Sequence, residues 1–347
     1  MVAGNPKRTL AIYVAMSSCL MMVAIASVLL GSVDVPFSSL EAIVQAALGL
    51  SDGSNVVPGH RYIVVDLRLP RALFAIIVGS ALSIAGAMMQ GLFRNPLADP
   101  GLLGVSSGAA LGAASVIVLG WTLPGIPNFT LPLAAFVGGI VATIVVMWLS
   151  LRSGTTSVAN MLLAGIAINA LCGAATGLLV YVADDEELRT LTFWTMGSLG
   201  GSGWADLPYI AGLALGPALV GLFLGRSVNA LLLGESEAQL LGVNVEQLKA
   251  IIVVLVCVIM GTSVALTGMI GFVGLVVPHL CRMLLGADNR RVFLGSMLLG
   301  STLLLAADVL ARIIVSPAEL PIGIVTSLVG GPFFLFLLYR SRLLRVS

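Results

Sequence analysis

The sequence predicts an all-α polytopic membrane protein with about ten transmembrane helices and both termini on the cytoplasmic side. Three observations carry that prediction. Of 347 residues, 59% are hydrophobic before 40 glycines are counted, and 10% are charged, against about 25% in a soluble domain. The apolar residues fall in runs near the roughly 20 residues needed to cross a hydrocarbon core of about 30 Å. Once those runs are threaded alternately across the membrane, most basic residues fall on one side, as the positive-inside rule requires.

In order, the runs lie at 11–30, 70–92, 102–120, 131–149, 158–182, 207–225, 250–267, 269–286, 292–315 and 321–339. Each must satisfy its own backbone in lipid, so each is predicted helical. Lys7 and Arg8 ahead of the first run could open a signal peptide, but the run outlasts a typical signal core and no clear A-x-A site follows. It reads as a retained span entering from the cytoplasm. The stretch 250–286 is almost continuously apolar, and Gly268, Gly271, Gly274 and Pro278 offer the break that divides it. Of the connections, 31–69 and 183–206 fall outside and 226–249 inside. None hides a soluble domain, so 1–347 reads as one transmembrane domain.

In this layout Lys7, Arg8, Arg94, Arg152, Arg226, Lys249, Arg282, Arg290, Arg291, Arg340, Arg342 and Arg345 are cytoplasmic. Arg61, Arg68, Arg71, Arg189 and Arg312 are left on the outer side, where they become candidates for function.

Several chemistries are missing. A net charge of +1 leaves no footprint for nucleic acid. Cys19, Cys172, Cys257 and Cys281 lie in apolar stretches without paired spacing, which argues against a disulfide framework or zinc site and for small buried apolar residues. His60 and His279 are too few for a His-rich metal or haem site. The phosphate-binding G-x-x-x-x-G-K-[ST] needs a Lys before Ser or Thr, yet Lys7 precedes Arg8 and Lys249 precedes Ala250. The chain therefore does not hydrolyse ATP by itself. Proton- or sodium-coupled carriers keep carboxylates deep in the bilayer. Here Asp308 is the one acid well inside a span, and Arg312 one turn later can pair with it. Gly104-Val105-Ser106-Ser107-Gly108 fits G-x-S-x-G by letters, but that motif needs a strand-to-helix turn, and small residues for helix–helix contact explain it better. No catalytic residue and no metal ligand is assigned.

From Arg68-Leu69-Pro70-Arg71 onward the chain resembles a known family. The run Met89 to Ser106, MQGLFRNPLADPGLLGVS, closely resembles the signature of the FecCD family. Further matches are Leu162 to Ala167 (LLAGIA), Trp194 to Gly201 (WTMGSLGG), Leu233-Gly234-Glu235, Gly271 to His279 (GFVGLVVPH) and Glu319 to Thr326 (ELPIGIVT). The resemblance spans about residues 60–340. It implies a permease subunit of a type II ABC importer for haem, ferric siderophores or cobalamin, in the bacterial inner membrane. It further implies a homodimer around one pathway, two cytoplasmic ATP-binding subunits and a periplasmic substrate-binding protein. ATP and Mg would reside on the partner subunits, and this chain would bind no cofactor. A stand-alone secondary carrier or an intramembrane enzyme is the remaining alternative class.

The resemblance also implies site residues. In the inner loop, Glu235 and Glu237 can sit in the first turn of a short helix, where the dipole favours acid. Leu240 and Leu241 supply an apolar edge that could lie in a partner's groove, and Gly242 is a natural helix terminator. With Gly234 and Ala238 these residues correspond to the family's coupling helix, which receives the ATPase stroke. Asn95 and Leu97 match cytoplasmic gate positions, although Asn95 and Pro96 also suit a plain turn. The loop Ser153–Ser157 corresponds to a second constriction. Arg68, Arg71 and Arg312 match positions that pair with carboxylates of the binding protein, a role suited to bidentate Arg; snorkelling to headgroups is the alternative. Arg61 has no match and reads as a solvated charge. Arg189, after the acidic run Asp184–Glu187, looks most like the haem branch. One such Arg per protomer would meet the two haem propionates at the point where substrate enters. A local salt bridge to Asp185 or Glu186 is the competing reading. Haem is the cargo the resemblance favours, then a ferric siderophore, with cobalamin behind.

Overall fold

A computed structural model describes residues 6–51, 55–152 and 155–346, with the main chain alone at 152, 337, 338 and 340–346. The chain is helical almost throughout. Its helices are α1 (Pro6–Leu29), α2 (Phe37–Ala47), α3 (Pro58–Leu92), α4 (Val105–Leu119), α5 (Pro127–Ser150), α6 (Val158–Val182) and α7 (Asp185–Met196). They continue as α8 (Leu207–Phe223), α9 (Gly225–Leu231), α10 (Glu235–Leu240), α11 (Val245–Thr267), α12 (Val273–Leu285), α13 (Asn289–Ile313) and α14 (Ile322–Val346).

Every predicted run holds a helix. Helices α1, α3, α5, α6, α11 and α13 are long and apolar enough to cross a membrane alone, and α8 with α9, bent by 59°, does so when the two count as one span. The segments Val105–Leu119, Val273–Leu285 and Ile322–Phe336 are shorter apolar helices. Side-chain caps fix several starts: Ser157 accepts from the Asn160 amide before α6, and Asn244 accepts from the Gln247 amide before α11. Two expected boundaries move. The break in 250–286 lies at Gly268 and Phe272, both with positive φ, while Gly274 and Pro278 fall inside α12. The outer stretch 31–69 is not simply a loop, since it holds α2 and the start of α3. Cys19 is exposed on α1, not buried, whereas Cys257 and Cys281 lie in the core.

Helix α3 is the axis of the bundle. Its most apolar window is 83% buried, against 11% for α1 and for α6, so the latter two face lipid or a partner along most of their length. It packs against α11, α12 and α13. In lipid such packing comes from close van der Waals fit between small residues. A Cβ built on Gly79 would meet the Gly300 carbonyl of α13, and one on Gly86 would meet the Gly274 main chain of α12. The α4–α5 contact repeats the device, because a Cβ on Gly108 would strike the Gly138 carbonyl. Gly104 and Gly108 of the G-x-S-x-G string therefore start and pack a helix.

The outer ends of α1, α3 and α13 meet at an ionic clamp. Asp308 is fully buried and lies between Arg71 (2.8 Å) and Arg312 (3.1 Å). Arg71 reaches on to Glu319 at 2.9 Å. The expected Asp308–Arg312 pair is thus one arm of a larger cluster. Arg312 also donates to the Ser27 and Leu30 carbonyls, and Arg68 to the Val28, Leu29 and Val33 carbonyls. The last carbonyls of a helix lack partners within it and attract cations. Two arginines therefore cap α1 and fasten it to the core. Breaking a buried ion pair from one side typically costs about 3–5 kcal/mol, so Asp308→Asn should lower the thermal unfolding temperature in detergent markedly. An unchanged temperature would mean that solvent already reaches the cluster. Gly86→Ala should cost about 1–3 kcal/mol by overpacking, read by the same melt.

Candidate functional site

The inner loop folds as its residues require. Glu235 and Glu237 occupy the first turn of α10, and Ala238 is fully buried beneath it. The Gly242 amide donates to Gln239 O at 2.9 Å and the Val243 amide to Ala238 O at 3.0 Å, the paired bonds of a Schellman ending. Gly242 supplies the positive φ of +83° that this ending needs, and Gly234 before the helix is at +132°. The stub leaves Leu240 89% and Leu241 64% exposed. Two adjacent leucines are thus held out on a capped turn as an apolar projection.

What anchors this stub was not evident from the sequence. Lys249, 1% exposed, donates to Glu235 at 2.8 Å, Glu246 at 2.9 Å and the Thr156 carbonyl at 2.7 Å. The Thr156 amide in turn donates to the second oxygen of Glu246 at 2.7 Å. Thr156 belongs to a two-residue antiparallel pair, β1 (Leu151–Arg152) with β2 (Thr155–Thr156), between α5 and α6. Of the loop Ser153–Ser157, residues 153 and 154 lie outside the described residues. One signal was present: Lys249 is one of only two lysines, three residues beyond Glu246.

A second anchor holds α9. Asn229 donates to Asp288 at 2.7 Å and accepts from the Asn289 amide at 2.8 Å. Burial pushes the Asp288 carboxyl up, but hydrogen bonds from Arg290 and Asn229 outweigh it and bring the carboxyl down to about 2. This tie is complete above the ordinary carboxylate value of about 3.9 and is lost as pH falls towards 2.

After α3 the chain turns sharply back. Arg94 has φ +49°, and the Asn95 side chain accepts from the Leu97 amide at 2.9 Å, an Asx turn. Asn95 thus forms the turn, and Leu97, 50% exposed, is what the turn presents. Asp99 then caps the turn Pro100–Leu103 through the Gly101 amide at 2.7 Å. Burial pushes the Asp99 carboxyl above the usual carboxylate range.

On the outer side the three arginines of the expected docking rim are engaged within the chain. Arg68 and Arg312 are 6% and 5% exposed, with their guanidinium groups spent on the α1 carbonyls. Arg71 is already paired with Asp308 and Glu319. Taking these cations out of water is costly, and the orphan carbonyls at the end of α1 offset part of that cost. Arg61 is exposed, as expected of a solvated charge. Arg189 differs from the clamp residues. Helix α7 starts with a complete capping box, in which Glu187 N donates to Asp184 at 2.8 Å and Asp184 N to Glu187 at 3.0 Å. Among the described residues no ion pair joins Arg189 to Asp185 or Glu186. Arg189 is exposed, and its guanidinium lies 5.9 Å from the Phe193 ring centroid, a cation–π contact.

The architecture matches known proteins. The FecCD transport family model matches residues 19–340. The hemin transport system permease protein HmuU of Yersinia pestis is 48% identical over 282 residues, 81% of this chain and 84% of that protein. The vitamin B12 import system permease protein BtuC of Vibrio vulnificus is 39% identical over 345 residues, 99% of this chain and 98% of that protein. A solved structure of a metal-chelate type ABC transporter in an inward-facing conformation superposes with a TM-score of 0.82 at 32% identity, covering 97% of this chain and 100% of that one. A multi-pass helical bundle without a nucleotide-binding motif, carrying the family signature along nearly its whole length, is a permease subunit of an ABC importer and a member of the FecCD transport family.

Proposed function

We propose that this permease moves haem, taking it from a substrate-binding protein on the outer side and driven by two ATP-binding subunits that engage α10. The observation that carries the haem reading is Arg189. It is an exposed cation with no ion-pair partner among the described residues, beside an aromatic ring on the outer helix α7. A guanidinium presents a fork that suits a carboxylate, and haem carries two propionates. The 48% identity to a hemin permease supports the same cargo. The uncovered length of α6 supplies a surface for a second copy of the chain, so two Arg189 side chains would serve one haem. Asn95 and Leu97 close the pathway at the inner side in this reading.

Arg189→Ala should leave folding unchanged and sharply reduce haem uptake into proteoliposomes containing the full transporter and its binding protein. Arg189→Lys should restore only part, since Lys lacks the fork. Full uptake by Arg189→Ala would remove Arg189 from the haem path, and with it the observation that sets haem above a ferric siderophore. For coupling, Leu240→Asp should abolish co-purification with the ATP-binding subunits while leaving the melt of the permease unaltered, because Leu240 is exposed. Unchanged co-purification would remove α10 from the interface.

A further inference from the structure

Lys249 is a buried cation that no transport chemistry requires at that place, and its three bonds reach three separate elements. An ammonium has three N–H donors. They go to Glu235 on α10, to Glu246 in the first turn of α11 and to the Thr156 carbonyl on the hairpin β1–β2. No donor is spare, and Glu246 ties the hairpin a second time through the Thr156 amide. Two residues beyond Thr156 begins α6, a helix the rest of the chain barely covers.

A buried polar group that loses its partner is penalised far more than a made bond is rewarded. When α10 moves, Lys249 must therefore carry the hairpin along or leave a buried donor unpaired. We propose that Lys249 is a positioning residue that transmits displacement of α10 to the β1–β2 hairpin, and so to the inner end of α6. This rests on the reading of α10 as the element that receives the ATPase stroke. The path is rigid at each joint. The stub is closed by its Schellman bonds, the lysine is held at bond lengths of 2.7 to 2.9 Å, and Ser157 caps the helix that follows. Glu235 and Thr156 make no bond to each other among the described residues, so their ion-mediated link runs through the Lys249–Glu246 pair.

The test measures transport per ATP hydrolysed in the reconstituted complex. Lys249→Met, close in length and uncharged, should retain association with the ATP-binding subunits and ATP hydrolysis. Haem delivered per ATP should fall by about tenfold, within the range usual for energetic coupling between sites. Lys249→Arg, which keeps charge and donors, should recover part of the ratio. Glu246→Gln is the milder companion, because its amide oxygen cannot serve both Lys249 and the Thr156 amide as the two carboxylate oxygens do. Its ratio should fall as well, with association intact. An unchanged ratio in Lys249→Met and Glu246→Gln overturns the proposal, and so does loss of assembly in both, which would make the node a fold element only. Leu240→Asp separates the two claims. If it leaves association intact, the reading of α10 fails; if it abolishes association while both node variants transport at the normal ratio, the transmission role alone fails.

Discussion

A polar group withdrawn from water must find its partner inside the chain, and in hydrocarbon no solvent forgives a miss. That single constraint organises the charged residues of this permease. At the outer ends of the helices it recruits Arg68 and Arg312 to the carbonyls of α1 and binds Asp308 between Arg71 and Arg312. At the inner side it gives Lys249 three acceptors on three elements. With 10% of the chain charged, the few charges that are buried become joints of the structure. Arg189, with no ion pair among the described residues, and the Leu240–Leu241 edge remain exposed.

The same constraint explains the shape of the core. Without a hydrophobic drive between helices in lipid, α3 can only be gripped by close contact, and glycines at 79, 86 and 300 let the neighbouring backbones approach. The uncovered faces of α6 are the complement of that arrangement. Helix α6, which the chain leaves bare beside a tightly closed core, faces lipid or a partner along most of its length.

Much of this was legible in the amino-acid order. The α6 run at 158–182 coincides with its helix because a capping Ser precedes an unbroken apolar stretch. The short helix α10 could be read because its acids, leucines and terminal glycine are neighbours in sequence, so their geometry is local. The outer clamp could not. Arg68 and Val28 are forty residues apart and Arg312 and Ser27 far more, and nothing in a sequence says that two arginines at an outer rim will turn inward to cap a helix. Family resemblance pointed them at a partner; within the chain Arg68 and Arg312 engage the carbonyls at the end of α1. Lys249 escaped notice for the same reason, since it looked like one more inner basic residue until Thr156, 93 positions away, met it. The acidic run before Arg189 was legible only in part: Asp184 and Glu187 go into the capping box, and among the described residues no ion pair joins Arg189 to Asp185 or Glu186.

The proposed function makes this chain a haem permease driven by separate ATP-binding subunits. The most direct measurement is ATP hydrolysis by the reconstituted complex with its binding protein, supplied in turn with haem, a ferric siderophore or cobalamin. The account predicts that haem stimulates hydrolysis most and that the permease alone hydrolyses none. Stimulation by cobalamin or a siderophore with haem inert would contradict it.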